Sequence, residues 1–284
     1  MNHVRQPENI AVTEWSEFEL ALARIRKELS TRQATGGLKF DDTLFRGHGN
    51  STWKLAPTLE TNHPMERSLV KYYRKASAAK SHIETLSGKR WDKLPAFWEF
   101  ERRLKDSPAG FLEVMLSHEP EVYEYLVYLR HHGFPSPLLD WTASPYVAAF
   151  FAFDDIDARA NMVSVHAALR GPTSVGSASE QYHFVGPYMR TDQRHVLQQS
   201  QYSWCMGFDT ASDGYAFMPH EEAIYDGVGS QGEVFKITIP VGERISALRD
   251  LDQMNINAFS LFGSEDSLVR TIARRECEFK DWSL

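Results

Sequence analysis

The chain has 284 residues, 42% of them hydrophobic and 24% charged, enough for one large domain or two small ones with a sizeable core. A net charge of −7 supplies no broad basic field for non-specific duplex binding and leaves room only for a local patch. Two isolated cysteines, Cys205 and Cys277, give no CxxC pair and no disulfide framework; no apolar run approaches the ~20 residues of a membrane span, and residues 1–7 lack a signal core, so a reducing, cytoplasmic setting without a membrane partner is expected.

Trp15, Phe18, Leu22, Ile25 and Leu29 recur at helical spacing and predict a helix over 13–30, broken at Thr35-Gly36-Gly37. Residues 42–46 read as a short strand, Arg46 to Ser51 as a Gly-rich loop, and 52–55 as renewed extended structure up to Pro57. A second helix is expected over 64–86 around Leu69, Tyr72 and Tyr73. The aromatic-rich stretch 87–118 reads as a helical insert, and a third helix runs from Glu121 to His131.

Residues 133–145 place Asp140-Trp141-Thr142 between a Pro-rich turn and the apolar run 146–153. Pro145 suits the first turn of a helix over 145–153, capped by Thr142 or Ser144. Asp140, Trp141 and Thr142 are then expected where a loop enters that helix, with free N–H groups able to hold an anionic or polar ligand; the alternative is an ordinary capped start of a buried helix. Residues 161–169 alternate as a strand, 171–180 form a Gly/Ser-rich loop, and Glu233 to Pro240 is the clearest strand in the chain. Helices over about 243–255 and 264–274 close the chain. This order predicts an α+β fold, with a mixed or antiparallel central sheet flanked by helices, and no linker forces two domains.

Four ordered segments resemble the FRG domain, named for its Phe-Arg-Gly signature. They are Phe45-Arg46-Gly47 with Asn50 to Pro57; Glu66 to Arg74; His131 to Pro145, with its Asp140-Trp141-Thr142; and Arg194 to Ser203. The resemblance spans about 15–275 and implies a single FRG-type domain. Ser136-Pro137 replaces the family's Thr-Arg, so one positive charge beside Asp140 is lost; Arg130, standing where a Gln is common, and Arg194 are candidates to replace it. Ser200 stands where a Gly is common.

Arg46, at a strand end beside Gly47 and Gly49, presents a planar fork to a phosphate or ribose, with glycines that permit close backbone approach; the alternative is a structural pair with Asp140 or Glu60. Trp53 and Trp141 either stack on a base or pack in the core. Thr142 is a cap or a ligand contact. His131 titrates near neutrality as an acid or base, or caps carbonyls at a helix end. Arg194, Gln198 and Gln199 have the chemistry to bind a phosphate or amide. No metal-ligand spacing, P-loop, GxGxxG or GxSxG motif is present, so no metal is expected.

The resemblance implies, at a coarser level, similarity to ADP-ribosyltransferase-like folds, in which an early Arg or His holds NAD and a polar residue, often Glu, acts from a late strand. On that basis NAD is the expected substrate, used by a toxin or phage-defence effector on an unknown macromolecular acceptor and restrained by a cognate antitoxin or inhibitor. Arg46, Asp140, His131 and Glu233 are the candidate catalytic groups, with Glu222 a second late acid by position. Two rivals stand beside this: a non-catalytic module that binds a nucleotide or modified polymer, and a nucleic-acid-processing enzyme.

Overall fold

In the computed structural model, which describes residues 7–33, 43–106, 120–169, 182–185, 192–211, 213–225 and 234–280, eight strands form a mixed sheet. They are β1 (Glu8–Ala11), β2 (Thr43–His48), β3 (Leu139–Thr142), β4 (Met162–Leu169), β5 (Tyr182–Val185), β6 (Ser200–Asp209), β7 (Gly214–Phe217) and β8 (Val234–Pro240). The order is β1-β8-β4-β2-β3-β6-β5, with β7 paired to β6. β1 runs parallel to β8 and the remaining pairs are antiparallel. With helices packed around this sheet the fold is α+β.

Period-two alternation divides the central strands by face. Phe45, Val163, Val165, Ala167, Phe235, Ile237 and Ile239 join one core with Phe18, Leu22 and Ile25 of the helix Phe18–Gln33. Their neighbours Arg46, His166 and Lys236 stand in cross-strand register on the opposite face, which is therefore polar where the first is dry.

The helix Pro145–Asp154 lies against the apolar face. Ser144 caps it, its Oγ accepting from Val147 N at 3.3 Å, and Pro145 sits in its first turn as expected. Its residues Ala148, Ala149 and Ala152 are fully buried. They meet β2 at Gly47, where an added Cβ would lie 1.9 Å from Ala148 O and 2.6 Å from Ala152 N. Gly49 is as tightly pressed, since a Cβ added there would lie 1.9 Å from Asp155 O. The close approach that these glycines permit is thus between strand and helix inside the protein.

Several boundaries differ from expectation. The strand expected over 42–46 extends through Gly47 and His48, since β4 pairs with it at six positions. After a turn at Ser51-Thr52, residues 53–55 do not resume a strand. Asp140-Trp141-Thr142 belongs to β3, which pairs β6 at four positions, so these residues are not a loop with free N–H groups. β1, β5, β6 and β7 were not anticipated. Among the described residues of 87–118 the helix is Phe97–Asp106, and Trp91, Leu94, Phe100 and Leu104 are buried in a second core with the helices Leu69–Ser87 and Pro120–His131. Phe111 and the 171–180 loop lie outside the described residues.

Candidate functional site

β2 and β3 are neighbours in the sheet but pair at a single position, Phe45 with Thr142. From there the ladder opens, separating the half built on β4 and β8 from the half built on β6. A cleft of about 900 Å³ occupies the opening, lined by Arg46, Gly47 and His48 from one strand and Asp140, Trp141 and Thr142 from the other. This size is within the ~300–1,000 Å³ of small-molecule and cofactor sites.

Charge is concentrated here. Arg46, Lys54, Arg130 and Arg194 line the cleft against the carboxylates of Glu60, Asp140 and Asp155, a slight positive excess in a chain of net charge −7. Arg46 donates from Nη1 to the Asp140 carbonyl at 2.8 Å and lies 3.9 Å from its carboxylate. Arg46 Nε donates to His48 Nε2 at 3.0 Å, so His48 must present a bare Nε2. Arg130, at the end of the helix Pro120–His131, closes an ion pair on the same carboxylate oxygen. One carboxylate is thus shared by two guanidiniums. Arg130 therefore supplies the positive charge beside Asp140 that Ser136-Pro137 does not.

Burial sets the electrostatics. It pushes the Arg46 guanidinium down to about 10, with Asp140 opposing and Arg130 assisting, so Arg46 remains a cation at neutral pH. His48 is held well below its ordinary value by burial first, then by Arg46, His166 and Lys236, and stays neutral. Burial lowers His131 as well, against the opposing pull of Asp140 and Asp192. Burial raises Glu60, although its Oε2 accepts from His220 N at 3.1 Å.

Of the residues singled out in the sequence, Arg46, Gly47, Trp53, His131, Asp140, Trp141, Thr142, Arg194 and Gln198 line the cleft, and Gln199 is not among its lining residues. Their side chains differ in what they can offer. Trp53 is 43% exposed and stands edge-on to His48, its ring available to a ligand. Trp141 is 2% exposed; its Nε1 donates to Ser203 Oγ at 2.8 Å and its ring packs edge-on to Phe184, so the indole belongs to the core and not to a stacking platform.

The Thr142 hydroxyl donates to Gln198 O at 2.7 Å and accepts from Ser144 N at 3.1 Å, which spends it on structure. Gln198 Nε2 donates to Leu261 O at 3.1 Å and is likewise engaged. Gln199 is exposed, with φ +48°, and its carbonyl accepts from Ala143 N; it makes the left-handed turn into β6. Arg194 lies over the Phe262 ring, 5.5 Å from its centroid, and both line the cleft. Glu233 lies outside the described residues; Glu222 is exposed on the short helix His220–Tyr225.

Two cleft residues had only a weak signal in sequence. His48 shares the strand period with Arg46, a signal lost when 46–51 is read as a loop. Glu60 sits on the five-residue helix Thr58–Asn62, and tertiary contacts of that helix with Ser136 and of Glu60 itself with His220 bring it to the site. Among the described residues no group of three or more His, Cys, Asp or Glu is placed to hold a metal, and no helix is long and apolar enough to cross a membrane.

Residues 41–161 match the family model of the FRG domain. That segment contains both strands that frame the cleft, together with Trp53, Glu60, Arg130 and Asp140, whereas Arg194, Gln198 and Phe262 complete the wall from outside it. No curated protein and no solved structure matches the chain.

Proposed function

From the premise that the chain carries an FRG domain, we propose that the cleft between β2 and β3 binds a nucleotide, NAD, and promotes its use in ADP-ribosyl transfer or hydrolysis. The observation that carries this reading is the convergence of Arg46, Arg130 and Arg194 with the half-exposed Trp53 at one opening of the sheet. Guanidiniums match phosphate oxygens as planar forks, and a half-exposed indole offers a face to an aromatic ring. In this reading Arg46 and Arg130 take the pyrophosphate and Trp53 stacks on a ring.

The bond that breaks joins nicotinamide to ribose, and the ribose left behind is an oxocarbenium-like cation. Asp140 is held by Arg46 and Arg130, whereas Glu60 is not paired with either, and in this reading its carboxylate stabilises that charge. His131 takes the proton of the attacking water or acceptor hydroxyl. This assigns to Glu60 the role first sought in Glu233. The cytoplasmic toxin or phage-defence setting, with a macromolecular acceptor and a cognate antitoxin, belongs to this proposal through the family resemblance.

A second reading has its own support. Asp140 already neutralises Arg46 and Arg130, and the hydroxyl of Thr142 and the amide of Gln198 are spent on structure, as suits a module that binds a nucleotide without turnover. Incubation of the purified protein with NAD and cell extract, with products read by mass spectrometry, separates the two. Nicotinamide release that disappears in Glu60→Gln supports turnover. Binding of NAD with no release supports the module.

A further inference from the structure

Tyr202 is 0% exposed, yet its hydroxyl meets two imidazoles. His131 Nε2 lies 2.8 Å away and His195 Nδ1 3.4 Å away, the Tyr202 and His195 rings being stacked at 11°. The three residues come from the helix Pro120–His131, the helix Gln193–Leu197 and β6, so the arrangement requires the folded sheet. His131 lines the cleft, and its other ring nitrogen, Nδ1, is buried with no hydrogen-bond partner. Burial above all, and then the nearby Asp140, keeps the Tyr202 phenol protonated far above neutral pH.

A phenol carries one proton and two lone pairs. If that proton is donated to His131 Nε2, a neutral His131 holds its own proton on Nδ1, and His195 Nδ1–H can donate to the phenol oxygen. If it is donated to His195 Nδ1, His131 Nε2–H donates to the phenol and His131 Nδ1 is bare. The Ser200 hydroxyl approaches the same oxygen and can use the second lone pair in either arrangement. We propose that His131, Tyr202 and His195 form one proton relay, in which the two ring nitrogens facing Tyr202 share a single proton and His131 Nδ1 alternates between acid and base.

The proposal rests on the reading of the cleft as the site of NAD chemistry only for what the relay serves. There, the bare Nδ1 of His131 takes the proton of the attacking water or hydroxyl. The proton on His131 Nε2 passes to Tyr202 and that of Tyr202 passes to His195 Nδ1, which leaves His195 as the imidazolium with His131 and Tyr202 neutral. The transfer runs back when His131 Nδ1 returns its proton as the acid, so protons and charge balance over the cycle. Tyr202 and His195 are positioning residues. The charged groups facing His131 are Asp140 and Asp192, which favour its protonation, and Arg130 and Arg194, which oppose it.

The test is long-range ¹H–¹⁵N NMR of the histidine rings in the whole, ligand-free protein at neutral pH. The protonated fractions of His131 Nε2 and His195 Nδ1 are expected to sum to one. A sum near two, with both rings donating to the phenol, or near zero, overturns the relay. In Tyr202→Phe the two fractions should become independent, and unchanged fractions overturn the proposal. If the parent releases nicotinamide, the same variant should lose roughly tenfold to a hundredfold in kcat and the limb of the pH profile assigned to His131, with KM held; an unchanged pH profile again overturns the relay. The NMR readout needs no turnover, so a protein inert toward NAD would refute the NAD reading and leave the relay to be judged on its own.

Discussion

Gly47→Ala perturbs the contact on which the cleft wall is built. The new Cβ would stand 1.9 Å from Ala148 O, so that carbonyl must retreat by about 1.5 Å to reach the 3.4 Å of ordinary contact. Ala152 N, at 2.6 Å, must also give way. Both atoms are backbone of a helix whose Ala148, Ala149 and Ala152 are fully buried, so no side chain can swing aside. Overpacking a core costs ~1–3 kcal/mol, and a backbone-on-backbone clash belongs at the top of that range, about 3 kcal/mol. At ~2–4 °C per kcal/mol for larger domains, thermal unfolding should fall by roughly 6–12 °C. Gly242→Ala is the control, because nothing lies within 4 Å of its Cβ position, and it should stay within about 0.5 kcal/mol of the parent. A Gly47→Ala protein that melts with the parent would refute the packing role of this glycine and return it to the ligand.

Acid should destabilise the fold through its buried histidines. Burial, assisted by Lys236 and Arg46, pushes His166 down to about 3, and burial, with Arg46 assisting, pushes His220 down to about 4. Both folded values are depressed, so this stability is intact above the unfolded value of 6.5 and is lost as pH falls toward 4 and 3; between pH 6.5 and 5 each histidine should cost on the order of 2 kcal/mol. Urea unfolding at pH 7 and pH 5 measures this, and equal midpoints would contradict it. Asp140→Asn removes the counter-charge of two guanidiniums; pyrophosphate should bind about tenfold tighter while stability falls by roughly 1–2 kcal/mol, the pair being only partly buried. Calorimetric titration with pyrophosphate reads this, and unchanged or weaker binding would count against the anion site. Trp53→Ala should weaken NAD binding by roughly 3–10-fold, the worth of one stacked ring, with little change in melting temperature because the indole is half exposed. A large loss of stability with unchanged binding would move Trp53 to the core.

The elements legible in sequence were those with a strong local signal, whether apolar periodicity or, over 145–153, an apolar run opened by Pro145. The helices over 13–30, 121–131 and 145–153 and the strands over 161–169 and 233–240 carry their pattern locally, and the structure has them close to where they were expected. β3 was read as a loop because four residues between prolines have no period of their own; β6 and β2 make them a strand. β6 itself mixes Gln, Ser and aromatics, which hides its alternation. The motif residues Arg46 and Asp140 do meet, but the role of each neighbour depends on contacts distant in sequence. Trp141 is drawn into the core by Ser203, Thr142 is tied to Gln198, and Glu60 reaches the cleft beside His220. Gly47 shows the same limit, since a glycine signals close approach without saying what approaches.

The central claim is that the opening between β2 and β3 is a nucleotide site in which Arg46 grips the phosphate. The most direct measurement is calorimetric titration of NAD into the parent and into Arg46→Ala, each first shown to be folded. Saturable binding by the parent that weakens by tenfold or more in the variant, the loss of about 1.4 kcal/mol or more expected for a charge-assisted contact, is the predicted result. Equal affinity of the two proteins for NAD would contradict it.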